Sequence, residues 1–114
     1  MDYVVMFEDN ERNAHKRAEL MVEHLAFLRA NAMQISAAGP LKDAEAGTPA
    51  GGLWLVSAAS PAQVAALVKA DPFWPTGLRK SFRILEWIKV FAPLQESLER
   101  PGGCEGSGPF AEPA

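Results

Sequence analysis

Residues 53–70, LWLVSAASPAQVAALVKA, hold one complete strand-to-helix unit. Leu53–Ala58 is an apolar run of strand length. Ser60-Pro61 then supplies a helix start, with serine at the N-cap and proline at the first helical position. Within the helix Pro61–Ala70, Val64, Leu67 and Val68 recur at i, i+3 and i+4 and define one apolar face. Asp71 precedes Pro72, and a residue before proline is pushed out of the α region, so the helix ends there.

The same order, strand then helix, occurs once more upstream. Tyr3–Phe7 is a short β-prone run bounded by the polar Glu8-Asp9-Asn10-Glu11. A helical stretch follows from Arg12 to Asn31, free of Gly and Pro and rich in good helix formers. Asn10 suits its N-cap and Asn31 its end. Met33–Ala38 reads as a second strand leading into the chain-breaking pair Gly39-Pro40. Residues 42–52, KDAEAGTPAGG, read as a polar loop. Downstream, DPFWPTG (71–77) is rich in turn formers. Ser81–Phe91 is an extended run with Phe82, Ile84, Ile88 and Val90 on one face and Leu85, Trp87 and Phe91 on the other.

The resulting order is βαββαβ. That is the split-βαβ, ferredoxin-like α+β arrangement, an antiparallel sheet with two helices on one face. The other face is expected to be apolar too, with Trp54 and Trp87 on it. A second copy of the sheet is the simplest cover, so a homodimer is expected.

Composition narrows the function classes. The chain has 114 residues, of which 48% are hydrophobic. That suits one domain with one core. Eleven basic residues against fourteen acidic ones give a net charge of −3. This argues against nucleic-acid binding, which calls for a basic patch. No apolar run approaches the roughly 20 residues of a membrane span. The acidic start MDYVVMFEDNE does not resemble a signal peptide. A cytoplasmic protein is the expectation. The single cysteine, Cys104, cannot form an internal disulfide, and no His/Cys spacing suggests a metal site. Neither metal nor nucleotide cofactor is expected. Residues 101–114, PGGCEGSGPFAEPA, are half Gly and Pro, so the chain divides into a domain, 1–95, and an expected flexible tail, 96–114.

Two residues stand out for chemistry. On a helical projection of about 100° per residue with Leu20 at zero, His24 falls near 40°, inside the apolar arc that holds Phe27 and Leu28. Arg17, near 60°, shares its stripe, whereas His15 lies on the polar side. His24 reads either as a satisfied core histidine or as a general base facing a cleft, a role that its ordinary pKa of about 6.5 suits. Asp71 reads either as a turn former or as the carboxylate that fixes a histidine tautomer. The topology sets the two helices side by side. Gly39 and Pro40 end a strand or bring backbone close to a ligand. Phe73 and Trp74 are core aromatics or pocket walls. Arg79 and Lys80 read as solvated charges, either of which could hold an anion.

His24-Leu25-Ala26-Phe27-Leu28, Ala38-Gly39-Pro40-Leu41, Gly51-Gly52-Leu53, Asp71-Pro72-Phe73 and Gly77-Leu78 follow one another in an order that resembles the YCII family (YciI-like proteins) over residues 2–91. The resemblance implies a dimeric α+β barrel of ferredoxin-like subunits. It also implies a His–Asp pair at the bottom of a cleft, which lands on His24 and Asp71. One branch of that family is similar to a dehydrochlorinase that removes HCl from a chlorinated hydroquinone, with the histidine as base and the aspartate orienting it.

Three functions are therefore weighed. The first is a small cofactor-free lyase or isomerase acting on a cyclic or aromatic compound. His24 would be its base, Asp71 would hold His24, Arg17 or another basic residue in the cleft would meet an oxyanion, and Gly39, Pro40, Phe73 and Trp74 would contact substrate. The second is a non-catalytic small-molecule-binding module with the same cleft. The third is a protein-interaction domain using its apolar sheet face.

Overall fold

The computed structural model describes residues 1–93. The expected tail, 96–114, and Cys104 lie outside them. Four strands, β1 (Asp2–Asp9), β2 (Ile35–Lys42), β3 (Pro49–Ser57) and β4 (Arg79–Glu86), make one sheet in the order β2-β3-β1-β4. All neighbouring pairs are antiparallel. The helices α1 (His15–Glu19), α2 (Met21–Ala30) and α3 (Pro61–Ala70) complete an α+β fold.

Strand alternation sends Tyr3, Val5 and Phe7 of β1 to the face that the helices cover. Trp54 and Val56 of β3 and Ile35 of β2 join them. Val64 and Val68 of α3 are fully buried there, and Phe27 and Leu28 of α2 pack against the same cluster. Phe7 and Trp54 meet edge to face at 5.2 Å, which adds about 1 kcal/mol to their burial. Trp54 therefore belongs to the core and not to the open face. Its neighbours Leu53 and Leu55 take the open face with Val4 and Leu85.

The α3 start follows its sequence signals. Ser60 Oγ accepts from the Gln63 amide at 3.3 Å, and Gln63 Oε1 accepts from the Ala59 amide at 3.0 Å. The upstream helix differs from a single run over 12–31. It begins as a 3-10 turn at Glu11–Asn13, and a break at Leu20, with φ −110° and ψ 13°, separates α1 from α2. Asn10 makes no side-chain cap, whereas Asn31 Nδ2 closes the far end by donating to the Phe27 carbonyl at 2.8 Å.

Strand limits also differ. β2 and β3 pair down to Lys42 and Pro49, so the loop shrinks to residues 43–48, where Asp43 Oδ1 accepts from the Glu45 and Ala46 amides. β4 stops at Glu86 and does not reach Phe91. Among the described residues its strand partner is β1 alone, and after Trp87 N–H bonds to the Asp2 carbonyl the strand Asp2–Asp9 offers no further pairing. Ile88, Val90 and Phe91 are consequently exposed.

Gly51 has φ +92°, and a Cβ there would collide with the Phe7 carbonyl oxygen of the paired strand. Both the left-handed backbone and the close approach require glycine. Gly51→Ala should cost at least about 2 kcal/mol and lower Tm by roughly 10 °C. Thermal denaturation followed by circular dichroism checks this, and an unchanged Tm would refute the assignment.

Candidate active site

The site is built where α3 ends. Pro72 holds Asp71 extended, at φ −66° and ψ 133°. The carboxylate is thereby released from the helix and turns inward, where it is completely buried. Asp71 Oδ1 accepts from the Phe73 amide at 3.1 Å, which makes it a turn former. The same oxygen lies 2.8 Å from Nδ1 of His24 on α2. Both readings of Asp71 thus hold at once. A carboxylate can only accept, so Nδ1 carries the proton and Nε2 is the nitrogen left to take one.

His24 is 6% exposed. The Phe73 ring stacks on its imidazole at 4.0 Å and 15°. The stack and the Asp71 contact fix the ring in two directions. Phe73 itself is fully buried, so it acts as a backing plate for His24. Trp74, expected beside it as a pocket wall, turns away instead and packs edge to face on Phe82 at 5.4 Å. The 3-10 turn Trp74–Thr76 separates the two rings.

Arg17 lies on the His24 side of the helical pair, with its guanidinium 5.4 Å from the Phe73 ring centre. It hydrogen-bonds to Asp9 at the end of β1. Sequence reasoning passed over Asp9, although it continues the inward alternation of Tyr3, Val5 and Phe7. The other Asp9 oxygen, Oδ1, is buried without a hydrogen-bond partner among the described residues.

Arg79 departs most from expectation. It was read as a solvated charge, yet its side chain is 4% exposed. Nη2 sits 3.3 Å from Asp71 Oδ2. The guanidinium lies flat over Phe7 at 3.7 Å, a cation–π contact. Burial pushes its pKa down to about 10. Asp71 and Asp9 hold it up against that effect, and Arg17 adds to the lowering. It remains a cation at neutral pH. A bulge explains its position. The β1–β4 register shifts between Glu8↔Ser81 and Asp9↔Arg79, which leaves Lys80 as the extra residue. Strict alternation from Phe82 and Ile84 would have put Lys80 inside and Arg79 outside.

These groups border a cleft of about 90 Å³ between α2 and the sheet. Arg17, Met21 and His24 line its helical side, and Phe7 and Arg79 its sheet side. Ala38, Gly39 and Pro40 of the edge strand β2 form the opposite lip. A Cβ at Gly39 would meet open space, so that glycine is not forced by packing. A cavity of about 150 Å³ takes up benzene, so the cleft suits a compound no larger than one small ring. Among the described residues no group of three His, Cys, Asp or Glu side chains is placed to hold a metal ion. Among them, too, no helix is long and apolar enough to cross a membrane.

A ferredoxin-like α+β domain with a buried His–Asp pair beside a small cleft is the class that fold and site define. The chain belongs to the YCII-related domain family, whose model matches residues 1–88. No curated protein matches it significantly. Among solved structures it is similar to 5-chloro-2-hydroxyhydroquinone dehydrochlorinase (TftG) from Burkholderia phenoliruptrix AC1100, determined in complex with 2,5-dihydroxybenzoquinone. The two are 26% identical with a TM-score of 0.67, over 77% of this chain and 94% of that one. A looser likeness is to At3g17210 from Arabidopsis thaliana, at 14% identity and a TM-score of 0.42, over 80% of this chain and 96% of that one.

Asp71 carries the site mechanically as well. Asp71→Ala would leave an imidazole N–H and an amide without their acceptor and a buried guanidinium without its counter-charge. It should cost about 3–5 kcal/mol of stability in urea denaturation. Asp71→Asn keeps an oxygen acceptor and should cost less. Nitrogen-15 shifts of the His24 ring should report the Nδ1–H tautomer. A neutral ring protonated on Nε2 would contradict the arrangement.

Proposed function

We propose that this chain is a cofactor-free acid–base enzyme, a lyase or isomerase acting on a small oxygenated ring compound. The observation that carries the reading is the buried His24–Asp71 contact at the cleft, made through Nδ1. That geometry leaves Nε2 to accept a substrate proton, while Asp71 stabilises the imidazolium that results. In the lyase case the electron pair released by deprotonation expels a leaving group such as chloride from the ring. In the isomerase case the proton returns to another carbon. The likeness to a dehydrochlorinase solved with a dihydroxybenzoquinone supports a hydroxylated ring as the substrate class. In this reading Gly39 and Pro40 contact the ring edge, and Arg17 and Phe73 hold the surroundings of His24. Trp74 has no part in it, since its ring packs elsewhere.

A second reading is favoured by one specific observation. His24 is nearly buried, stacked and satisfied, as a structural histidine in a non-catalytic binding module would be. The two readings differ in what His24 does for turnover.

We also propose a homodimer. The open sheet face carries Val4, Leu53, Leu55, Leu85 and Trp87, which border an apolar depression of about 440 Å³. Such a face calls for a cover.

Wild-type protein is expected to turn over at least one member of a panel of halogenated hydroxyhydroquinones, followed by chloride release and visible absorbance. His24→Ala and His24→Gln should abolish turnover with the fold retained. Asp71→Asn should reduce it by about 10²–10⁴-fold. No turnover by the wild type, or activity surviving in both His24 variants, would defeat the catalytic reading. Size-exclusion chromatography with light scattering should give twice the chain mass. A monomer would refute the dimer and favour an interaction domain awaiting another partner.

A further inference from the structure

The acid–base reading leaves one buried cation without a task. Arg79 lines the same cleft as His24. Arginine carries five N–H donors and stays charged. Here Nη2 faces Asp71, but Nε and Nη1 are buried with no hydrogen-bond partner among the described residues. Leaving such donors unmet is costly, and buried groups of this kind are rare without a reason. Arg17 differs, because its guanidinium is already hydrogen-bonded to Asp9. Arg17 is also partly open to solvent, so of the two guanidiniums at the cleft Arg79 is the one whose unmet donors are buried.

The local charges point the same way. Asp9 and Asp71 balance Arg17 and Arg79, so the cluster is neutral while His24 is neutral. Once His24 takes a proton the cluster carries one positive charge. An anionic oxygen left on the substrate by that transfer would restore neutrality, and Arg79 is placed to receive it. Phe7 packs under the guanidinium at 3.7 Å and keeps it from swinging away.

We propose that Arg79 is the oxyanion-binding and specificity-determining residue of the cleft, its Nε–H and Nη1–H receiving an ionised enol or phenol oxygen of a conjugated ring. This rests on the cleft being the binding site; the unmet donors argue for it whether or not His24 acts as a base, and only the charge balance draws on that role. The ligand class is thus an acidic hydroxylated ring. A neutral ring of the same shape would leave the two donors unmet and would bind less tightly.

The probe is 2,5-dihydroxybenzoquinone, which is ionised at neutral pH, compared with hydroquinone, a neutral ring that is no larger. Calorimetry should show that the wild type prefers the anion. Arg79→Gln should weaken anion binding by roughly tenfold to a hundredfold, with little change for the neutral ring. Arg79→Lys keeps the charge but loses the fork, and should fall between. In nitrogen-15-labelled wild type the Arg79 Nε–H resonance should move on adding the anion, a response that a purely structural arginine would not give. This measurement stands even if Arg79→Gln fails to fold. A wild type that binds neither probe, or does not distinguish them, overturns the proposal. So does an anion that moves the Arg17 Nε–H resonance and leaves Arg79 still. His24→Gln separates the two readings. Lost turnover with the Arg79 response kept supports both, whereas an inactive wild type that keeps the response defeats only the catalytic one.

Discussion

A carboxylate taken wholly out of water needs hydrogen bonds or a counter-charge from the protein, and Asp71 draws both from three elements. Oδ1 takes the His24 ring of α2 and the Phe73 amide of its own turn, at 2.8 and 3.1 Å. Oδ2 faces Arg79 at the head of β4 at 3.3 Å, an ion pair in which Oδ2 accepts no hydrogen bond among the described residues. One side chain thus ties the end of α3 to α2 and to the sheet. The stability argument for such a buried charge is weak, because well-packed apolar residues in its place can be as stabilising or more so. What the carboxylate does supply is geometry, since it orients an imidazole and a guanidinium toward one cleft. Local rules broken at a polar cluster are what functional sites show.

The cation that completes this cluster arrives through an irregularity. β1 and β4 pair in regular register from Tyr3↔Glu86 to Glu8↔Ser81, and then slip by one residue. The bulge turns Arg79 inward and lays it across Phe7. Holding that charge in a dry place has a visible cost, because burial draws its pKa from the ordinary arginine value down to about 10. The difference corresponds to on the order of 3 kcal/mol disfavouring the charged folded form at neutral pH. The sign follows from linkage. The folded pKa lies below the unfolded one, so this penalty is fully present at neutral pH. It is relieved as pH rises from about 10 toward the unfolded pKa. Asp71 and Asp9 keep the penalty from being larger, so the two carboxylates and the arginine belong to one electrostatic unit.

The legible parts of the fold were those written in periodicity. Ser60-Pro61, the Val64/Leu67/Val68 stripe and the Asp71-Pro72 stop each reappear at the bond level. The helical stripe likewise put His24 inside and His15 outside, as burial shows. Parity failed where the backbone departs from ideal repeat. Both Arg79 and Lys80 read as solvated charges, but the bulge at Lys80 turns Arg79 inward, and nothing in RKSFRILE marks a bulge. Trp54 was misassigned because both faces of LWLVS are apolar, so alternation alone could not say which face met the helices. Register with Val5 decides that. The reach of β4 failed for a non-local reason. VF at 90–91 is as β-prone as what precedes it, but β1 has no residues left to pair with. Trp74 was grouped with Phe73 by adjacency, whereas a tight 3-10 turn sends neighbouring side chains in different directions.

The cleft and the open sheet face share one strand. Ala38, Gly39 and Pro40 form the lip of the cleft, and the same residues border a shallow apolar depression with Leu41, Leu53 and Leu55 on the far side. Among the described residues β2 is an edge strand, paired only to β3. Proline is tolerated there because no ladder partner needs its missing N–H. The lip is therefore thin, exposed and open toward the face on which we propose that a second copy docks. A partner packed on Leu53 and Leu55 would back this lip without touching His24 or Arg79. Its effect on the site would then be steric, setting how far Gly39 and Pro40 can yield to a ring in a cleft of about 90 Å³. On that argument the polar cluster selects the charge of the ligand, and the edge strand with whatever covers it selects the size.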